Sequence, residues 1–193
     1  DFHEKMLSQI KSSVFYINYY FQGEPFLHPQ FLMLISQAKK SNIYTSTSTN
    51  GHFIDQKKAN EIVSSGLDRL IISIDGLTQE TYEQYRVNGK LKKVIEASRL
   101  LVESKKRANS STPHLIFQFL AVKPNEHEVP AVYDLARELG IDEILRHTIN
   151  KGYGANQKTL YSKCIELKAD IVIMVHPDYQ YTPKLIPAMV NII

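Results

Sequence analysis

Strand-like and helix-like patterns alternate along the first three quarters of the chain. Runs of apolar, β-branched and aromatic residues predict buried strands at 14–21, 42–48, 69–75 and 114–122. Between them, apolar residues recur every three or four positions, which is typical of helices packed on one face. Strands that alternate with helices predict a parallel sheet with outer helices. The fold class is therefore α/β, and both an open doubly wound sheet and a (β/α) barrel fit the pattern.

Residues with known capping preferences mark the ends of the predicted helices. Pro29 suits the first position of a helix, where a missing N–H costs nothing. Asp55 and Thr78 are suited to cap helix N-termini, and Gly66 and Gly140 suit the left-handed position after a helix.

The first three predicted strands all end in polar loops, which read QGEP, STNG and SIDG. Both candidate architectures place functional groups at the carboxyl ends of strands, so we expect a site along that edge. Two alternatives stay open at this point. Glu24 and Asp75 are also suited to cap the helices that follow them, and Asn50-Gly51 is a common turn dipeptide.

Composition narrows the class of protein. Apolar residues make up 43% and charged residues 22% of the 193 residues, as in soluble globular domains. The net charge of +3, without a basic stripe, argues against a nucleic-acid partner. No apolar run reaches the length of a membrane span. The single cysteine, Cys164, excludes an internal disulfide and predicts a cytoplasmic setting.

Four segments carry a resemblance to a known family. FQGEPFLHPQF, TSTNGHFI, GLDRLIISIDGLTQETYEQYR and HLIFQFLAVKPNEHE, in this order, resemble the radical SAM enzymes, especially the branch with a C-terminal SPASM domain. The resemblance implies a partial (β/α) barrel with S-adenosylmethionine lying across its carboxyl edge. The cofactor-binding residues that it implies are Gly23, Glu24, Pro25, Ser48, Asn50, Ser73, Asp75, Arg86 and Gln118.

The resemblance assigns a role to each group. The Gly23–Pro25 loop faces the ammonium group of the cosubstrate, and Ser73 and Asp75 face its ribose and carboxylate region. Arg86 pairs with the methionyl carboxylate, a task that suits a forked guanidinium. Gln118 interrupts an apolar strand, which predicts that it points into the barrel, as a ligand contact or as a structural hydrogen bond.

Radical SAM chemistry also requires a [4Fe–4S] cluster, usually held by three cysteines spaced CxxxCxxC. The resemblance implies reductive cleavage of S-adenosylmethionine to a 5′-deoxyadenosyl radical, hydrogen abstraction from a substrate, and a reductant protein as partner. This sequence contains no such cysteines. We therefore expect a fragment that lacks the first strand and the cluster loop, binds the small-molecule cosubstrate at most, and is inactive alone.

The last quarter of the chain resembles a different family. NKGYGANQKT and DIVIMVHPDYQY are similar to family-2 glycosyltransferases of the GT-A fold, the dolichyl-phosphate-mannose-synthase type. The implied nucleotide-sugar-binding residues are Gly152, Gly154, Asn156, Lys158 and Asp178. Asp178 is also the implied ligand of Mg²⁺ or Mn²⁺, although His176 occupies the first position of the family's Asp-x-Asp motif. The alternative is that Asp178 caps a helix near Pro183.

The two resemblances meet without a linker near residues 136–147. We predict a radical SAM segment at 1–142 and a short α/β glycosyltransferase-like segment at 143–193. Because domain fusions usually carry a linker, an artificial chimera without catalytic activity is a third hypothesis. Both chain ends interrupt helical patterns, so we also expect them to be incomplete.

Overall fold

The computed structural model describes residues 2–20 and 22–147, together with Ser162, Ile165 and Glu166. The chain divides into two compact units, Asp1–Ile149 and Asn150–Ile193. The sheet and its helices belong to the first unit. Within the described residues, no helix is long and apolar enough to cross a bilayer.

Five parallel strands form the sheet of this unit. They are β1 Tyr16–Asn18, β2 Tyr44–Thr49, β3 Arg69–Ser73, β4 His114–Leu120 and β5 Glu143–His147. The α-helices are α1 Phe2–Ile10, α2 Phe31–Lys40, α3 Gln56–Ser64, α4 Gln79–Tyr85, α5 Leu91–Arg107 and α6 Val129–Leu139. Short 3₁₀ helices occupy Pro25–Leu27 and Glu126–Glu128.

The strands lie side by side in chain order, from β1 to β5. Right-handed crossovers between consecutive parallel strands place the connecting helices on one side of the sheet. A doubly wound sheet needs a reversal of strand order, and these five strands have none. The parallel strands with outer helices are therefore confirmed, and the order fits a partial barrel.

The two faces of the sheet differ in chemistry. Leu70, Ile72, Leu115 and Phe117 are buried and join the main hydrophobic cluster with the helices. Because side chains alternate along a strand, their neighbours in sequence face away from the helices. We call that other side the inner face. Its polar members include Ser46, Ser48, Arg69, Ser73 and Gln118.

Most predicted helix ends are confirmed. Asp55 accepts a hydrogen bond from the Lys58 amide at 2.7 Å, and Thr78 accepts one from the Thr81 amide at 3.1 Å. Gly66 and Gly140 follow their helices with φ of +79° and +80°.

The prediction for Pro29 is wrong, because α2 begins at Phe31 with Gln30 as its N-cap. Proline does open a helix in this region, but it is Pro25, at the start of the 3₁₀ helix. The Phe31 amide donates to the His28 carbonyl at 3.1 Å, so a separate turn at 28–31 precedes α2.

The sheet continues past the predicted segment boundary at residue 142. β5 pairs with β4 from Ile116–Glu143 to Leu120–His147. Residues 143–147, which were assigned to the second segment from the sequence, therefore belong to the same sheet as β1–β4.

Candidate functional site

The first polar loop is tied to the end of β2 by one carboxylate. Glu24 Oε1 accepts hydrogen bonds from the Phe26 amide at 3.3 Å and from Thr49 Oγ1 at 2.8 Å. Glu24 Oε2 accepts one from the Asn50 amide at 2.7 Å. The helix-capping alternative for Glu24 is thus confirmed, since it caps the 3₁₀ helix that starts at Pro25. The carboxylate fixes two loops of the carboxyl edge against each other.

Gly23 stands next to this carboxylate in a left-handed conformation, with φ of +77°. A Cβ atom built on Gly23 has nothing within 4 Å, so the backbone here faces open space. Non-glycine side chains rarely adopt this conformation. The glycine therefore lets the loop turn and leaves its backbone accessible at the strand end.

Asn50 is held by its own turn as well as by Glu24. Its Oδ1 accepts a hydrogen bond from the His52 amide at 2.9 Å, and its carbonyl oxygen lies 2.9 Å from His52 Nδ1. His52 Nε2 accepts a hydrogen bond from the Lys90 amide at 2.8 Å. The turn alternative for Asn50-Gly51 is consistent with this geometry, because Gly51 has φ of +76°.

Three of the expected residues share the inner face. Ser73 is in register with Gln118 on the neighbouring strand, and Ser48 lies on β2 in register with Ile71, two residues earlier than Ser73. Ser48 and Ser73 are buried. The prediction that Gln118 points away from the helices is confirmed by this register.

Asp75 and Arg86 meet at the carboxyl ends of β3 and β4. Arg86 Nε donates to Asp75 Oδ2 at 2.6 Å, and the Leu120 amide donates to Asp75 Oδ1 at 3.0 Å. The Asp75 side chain is 2% exposed and that of Arg86 is 35% exposed. The helix-capping alternative for Asp75 is therefore wrong, since Thr78 caps α4 and Asp75 holds Arg86 instead.

The Arg86 guanidinium keeps donors for a further partner. Its carbon Cζ lies 5.4 Å from the centre of the Tyr85 ring, a cation–π distance. Its two Nη groups make no hydrogen bond to any residue in the described part of the chain. A guanidinium held through Nε therefore presents its Nη edge for bidentate contact with an anion.

Asn125 joins the loops after β3 and β4, and no role was predicted for it from the sequence. Its Nδ2 donates to the carbonyls of Asp75 at 2.8 Å and Leu120 at 3.0 Å, and its Oδ1 accepts from the Val122 amide at 2.7 Å. The residue is 1% exposed. All its polar atoms are thus used to hold the backbone beside the Asp75 carboxylate.

Glu128 fixes the start of α4 from the same side. Its carboxylate accepts hydrogen bonds from the amides of Leu77 at 2.8 Å and Thr78 at 3.2 Å, and from Thr81 Oγ1 at 2.8 Å. Negative charge at a helix N-terminus is favourable. Asn125 and Glu128 are spaced three residues apart after a strand, as in a capping box. This spacing is the sequence feature from which a structural role for the two residues could have been predicted.

A buried tyrosine lies close to this ion pair. Tyr82 is fully buried, and its hydroxyl makes no hydrogen bond within the described residues. Burial raises the pKa of Tyr82 to about 12, which outweighs the lowering effect of the nearby Arg86 cation. Its ring centre lies 6.4 Å from that of His52, so Tyr82 packs between the two groups of edge residues.

The arrangement suits a zwitterionic ligand better than a metal or a cluster. In the described residues, no three His, Cys, Asp or Glu side chains are grouped as metal ligands. A [4Fe–4S] cluster held by three cysteines does not fit this chain, whose one cysteine, Cys164, lies outside the described residues. S-adenosylmethionine does fit, since the edge offers a cationic fork at Arg86 and an open backbone at Gly23.

The residues assigned to nucleotide-sugar binding cannot be placed. Gly152, Gly154, Asn156, Lys158 and Asp178 all lie outside the described residues, as does the expected Mg²⁺ or Mn²⁺ ligand set. The glycosyltransferase resemblance therefore keeps the status of a sequence-based prediction.

The sequence model of the Radical SAM superfamily matches residues 8–136, more than half of the chain. The chain therefore belongs to the radical SAM superfamily.

Two relatives illustrate the range of the family. The chain is 27% identical over 138 residues to the PqqA peptide cyclase of Gluconobacter oxydans, covering 70% of this chain and 37% of the relative. It is 28% identical over 156 residues to a probable GTP 3′,8-cyclase of Methanocaldococcus jannaschii, covering 78% of this chain and 50% of the relative. The chain thus spans half or less of the length of these relatives.

Solved structures support the fold. Streptococcus suis SuiB bound to S-adenosylmethionine has a TM-score of 0.61 at 15% identity, covering 86% of this chain and 39% of that chain. SuiB bound to its precursor peptide SuiA gives a TM-score of 0.61 at 15% identity, covering 87% and 40%. The α/β unit is therefore folded like part of the barrel in these enzymes, and none of the proteins named here is a glycosyltransferase.

Proposed function

We propose that the unit formed by residues 2–147 binds S-adenosylmethionine along the carboxyl edge of β1–β4, as the cosubstrate-binding part of a radical SAM enzyme of the SPASM type. The observation that carries the proposal is the Arg86 guanidinium, which a 2%-exposed Asp75 holds at the strand ends. Membership of the superfamily supplies the identity of the ligand.

Each edge residue has a proposed task. Arg86 pairs its Nη groups with the methionyl carboxylate, while Asp75 and, through the backbone, Asn125 keep it in place. The backbone of Gly23, Glu24 and Pro25 faces the ammonium group. The side chains proposed for the ribose and adenine regions are Ser48, Asn50, Ser73 and Gln118.

The chemistry of the whole protein is a wider proposal. Enzymes of this superfamily cleave S-adenosylmethionine reductively and abstract a hydrogen atom from the substrate, with electrons from a reductant protein. We assign no step of that reaction to the residues of this chain, because it lacks three cysteines for a cluster. The 193-residue chain alone is expected to bind the cosubstrate without cleaving it. A cytoplasmic setting is proposed on its cysteine usage.

The names of the relatives suggest two classes of substrate for the whole protein, a peptide and a nucleotide. SuiB was solved with a precursor peptide, whereas the relative from Methanocaldococcus jannaschii is a probable GTP 3′,8-cyclase. Both classes carry acidic groups.

Ligand preference tests the proposed function. Titration calorimetry of the chain with S-adenosylmethionine is compared with 5′-methylthioadenosine, which lacks the amino-acid group. We expect at least about tenfold tighter binding of S-adenosylmethionine, because a charge-assisted hydrogen-bond pair is lost with the carboxylate. Equal affinity, or no binding of either compound, contradicts the proposal.

A second candidate concerns residues 143–193 only. The motifs NKGYGANQKT and DIVIMVHPDYQY support nucleotide-sugar-dependent glycosyl transfer, with Asp178 and Mg²⁺ or Mn²⁺ at the diphosphate. Saturation-transfer NMR with UDP-glucose and GDP-mannose, with and without Mn²⁺, tests it. Metal-dependent binding that Asp178→Asn abolishes supports this function.

A non-catalytic chimera is the third candidate. It predicts that the chain binds neither S-adenosylmethionine nor a sugar nucleotide. The calorimetry and the NMR experiment together therefore distinguish all three proposals.

A further inference from the structure

A row of polar side chains crosses the inner face at some distance from the cosubstrate edge. Asn18, Ser46, Arg69 and His114 are register partners on four successive strands. They lie on the side of the sheet away from the connecting helices described above, and a polar group buried there costs free energy unless it is hydrogen-bonded. We call these four residues the polar row.

Two members of the polar row have unused hydrogen-bonding groups. Ser46 is 1% exposed, and its hydroxyl is buried without a partner in the described residues. Arg69 Nε is likewise buried, and it donates to none of those residues. Buried polar atoms are nearly always paired, so two neighbouring orphans at register positions indicate a missing acceptor.

The charges around Arg69 favour an anion as this acceptor. Within the described part of the chain, Arg69 has no carboxylate at ion-pair distance. Glu143, the acidic side chain on the inner face, lies 3.0 Å from His114 Nε2. Asp68 is occupied by Lys39 and by the Thr45 amide.

The Arg69 cation lies near a tyrosine on the neighbouring strand. Burial raises the pKa of Tyr44, and the Arg69 cation opposes this shift while the Asp68 and Glu143 carboxylates add to it. The Tyr44 ring stacks on that of Tyr16, with centres 5.7 Å apart, and both side chains remain partly exposed. This stacked aromatic pair lies two residues before Asn18 and Ser46 on their strands, next to the polar row.

We propose that Ser46 and Arg69 bind an acidic group of the substrate, a carboxylate or a phosphate, on the inner face of the sheet. Assigning this group to the substrate rests on the proposed function, whereas anion binding itself does not. Arg69 precedes Ser73 by four residues on β3, which corresponds to about 13 Å along the strand. An elongated substrate anchored at Arg69 therefore reaches the carboxyl edge, where the cosubstrate is proposed to lie.

The test observes the Arg69 side chain directly. The full 193-residue chain, uniformly labelled with ¹⁵N, is titrated with sodium phosphate and separately with sodium acetate, at constant ionic strength kept with sodium chloride. Binding is read at the Arg69 Nε–Hε signal and, in every variant, at the backbone amides of residues 45–47. The Arg69 Nε–Hε signal is assigned by its loss in Arg69→Lys. Arg99→Gln is the matched control, because Arg99 is a half-exposed cation on α5 that pairs with Glu96.

We expect saturable shifts of the Arg69 signal with one or both anions, and at least about tenfold weaker binding in Arg69→Gln. Ser46→Ala weakens binding less, since it removes one neutral donor, and Arg99→Gln leaves it unchanged. Stronger response to phosphate points to a nucleotide-like substrate, and stronger response to acetate points to a peptide-like one.

Three results overturn the proposal. They are shifts no larger than chloride produces, equal binding in Arg69→Gln, and an effect of Arg99→Gln as large as that of Arg69→Gln. Thermal melting of each variant confirms that it is folded, and Arg69→Lys keeps the charge if Arg69→Gln unfolds. Titration of the wild-type chain with S-adenosylmethionine separates the two proposals, because absence of cosubstrate binding together with saturable anion binding contradicts only the proposed function.

Discussion

Asp75 and Arg86 form an ion pair at the carboxyl edge of the sheet, with Arg86 Nε 2.6 Å from Asp75 Oδ2. The carboxylate is almost fully buried and accepts a second hydrogen bond from the Leu120 amide. Asp75 is thereby a positioning residue, since its oxygen atoms face protein donors and the guanidinium faces outward. This division of roles was absent from the sequence-based expectation, in which both side chains faced the ligand.

Replacement of the positioning carboxylate separates orientation from charge. Asp75→Asn keeps the size of the side chain and leaves Arg86 charged but held less firmly. We expect about tenfold weaker binding of S-adenosylmethionine and unchanged affinity for 5′-methylthioadenosine, because only the carboxylate contact depends on Arg86. Asp134→Asn is the control, since Asp134 forms an exposed pair with Arg137. Equal loss for both compounds indicates a structural effect and contradicts the assigned role.

The loop after β1 depends on Glu24 in the same way. Glu24→Gln removes the charged acceptor for the Asn50 amide and for Thr49 Oγ1, so we expect a loss of about 1–2 kcal/mol in the free energy of unfolding. Hydrogen exchange at the Asn50 amide is expected to accelerate by about tenfold. Glu126→Gln, on an exposed side chain, is expected to change neither quantity. An unchanged Asn50 exchange rate contradicts the role of this carboxylate.

Asn125 is expected to be the most sensitive of the buried polar residues. Asn125→Ala leaves two carbonyls and one amide without their partner, and we expect it to destabilise the fold by about 2–4 kcal/mol in urea denaturation. Asn125→Asp should be at least as harmful, because it turns a carboxylate oxygen towards the Asp75 and Leu120 carbonyls. If Asn125→Asp is as stable as the wild type, the hydrogen-bond assignment is wrong.

The buried Tyr82 and the half-buried Tyr19 give opposite expectations on loss of the hydroxyl. Tyr82→Phe removes a hydroxyl without a partner in the described residues, so the fold at pH 7 should be unchanged or about 1 kcal/mol more stable. Tyr19→Phe removes a hydroxyl that lies 2.9 Å from His3 Nε2, and it should be destabilising by about 1 kcal/mol. Destabilisation by Tyr82→Phe equal to that by Tyr19→Phe contradicts this assignment.

The same tyrosines predict how stability depends on pH. Burial raises the pKa of each of Tyr82 and Tyr19 to about 12 from 10.0. The unfolded chain therefore loses these protons first, so the contribution is complete below pH 10 and declines as pH rises towards 12. Melting temperatures across this window should fall less steeply in Tyr82→Phe than in the wild type. An identical slope excludes Tyr82 as a contributor.

The sequence predicted the positions of the strands and their polar ends because these follow from local patterns. Continuous apolar runs mark β3 and β4, and Gln118 was expected to point into the barrel because it interrupts such a run. The caps at Asp55 and Thr78 were predicted for the same reason, since a cap depends on residues within one turn.

The contacts that organise the site were not predictable in this way. Asp75 and Arg86 are joined across α4, and Asn125 reaches back fifty residues in sequence to the Asp75 carbonyl. Such contacts depend on how loops fold over the sheet edge, which periodicity does not encode. Glu24 shows the limit most clearly, because its capping role and a role at the ligand are equally compatible with the sequence QGEP.

The most direct test of cosubstrate binding is titration calorimetry of S-adenosylmethionine into the wild-type chain, Arg86→Gln and Arg99→Gln. We expect binding to the wild type and to Arg99→Gln with equal affinity, and at least about tenfold weaker binding to Arg86→Gln. Equal affinity of all three proteins would contradict the role of Arg86, and the absence of binding to the folded wild type would contradict the proposed site as a whole.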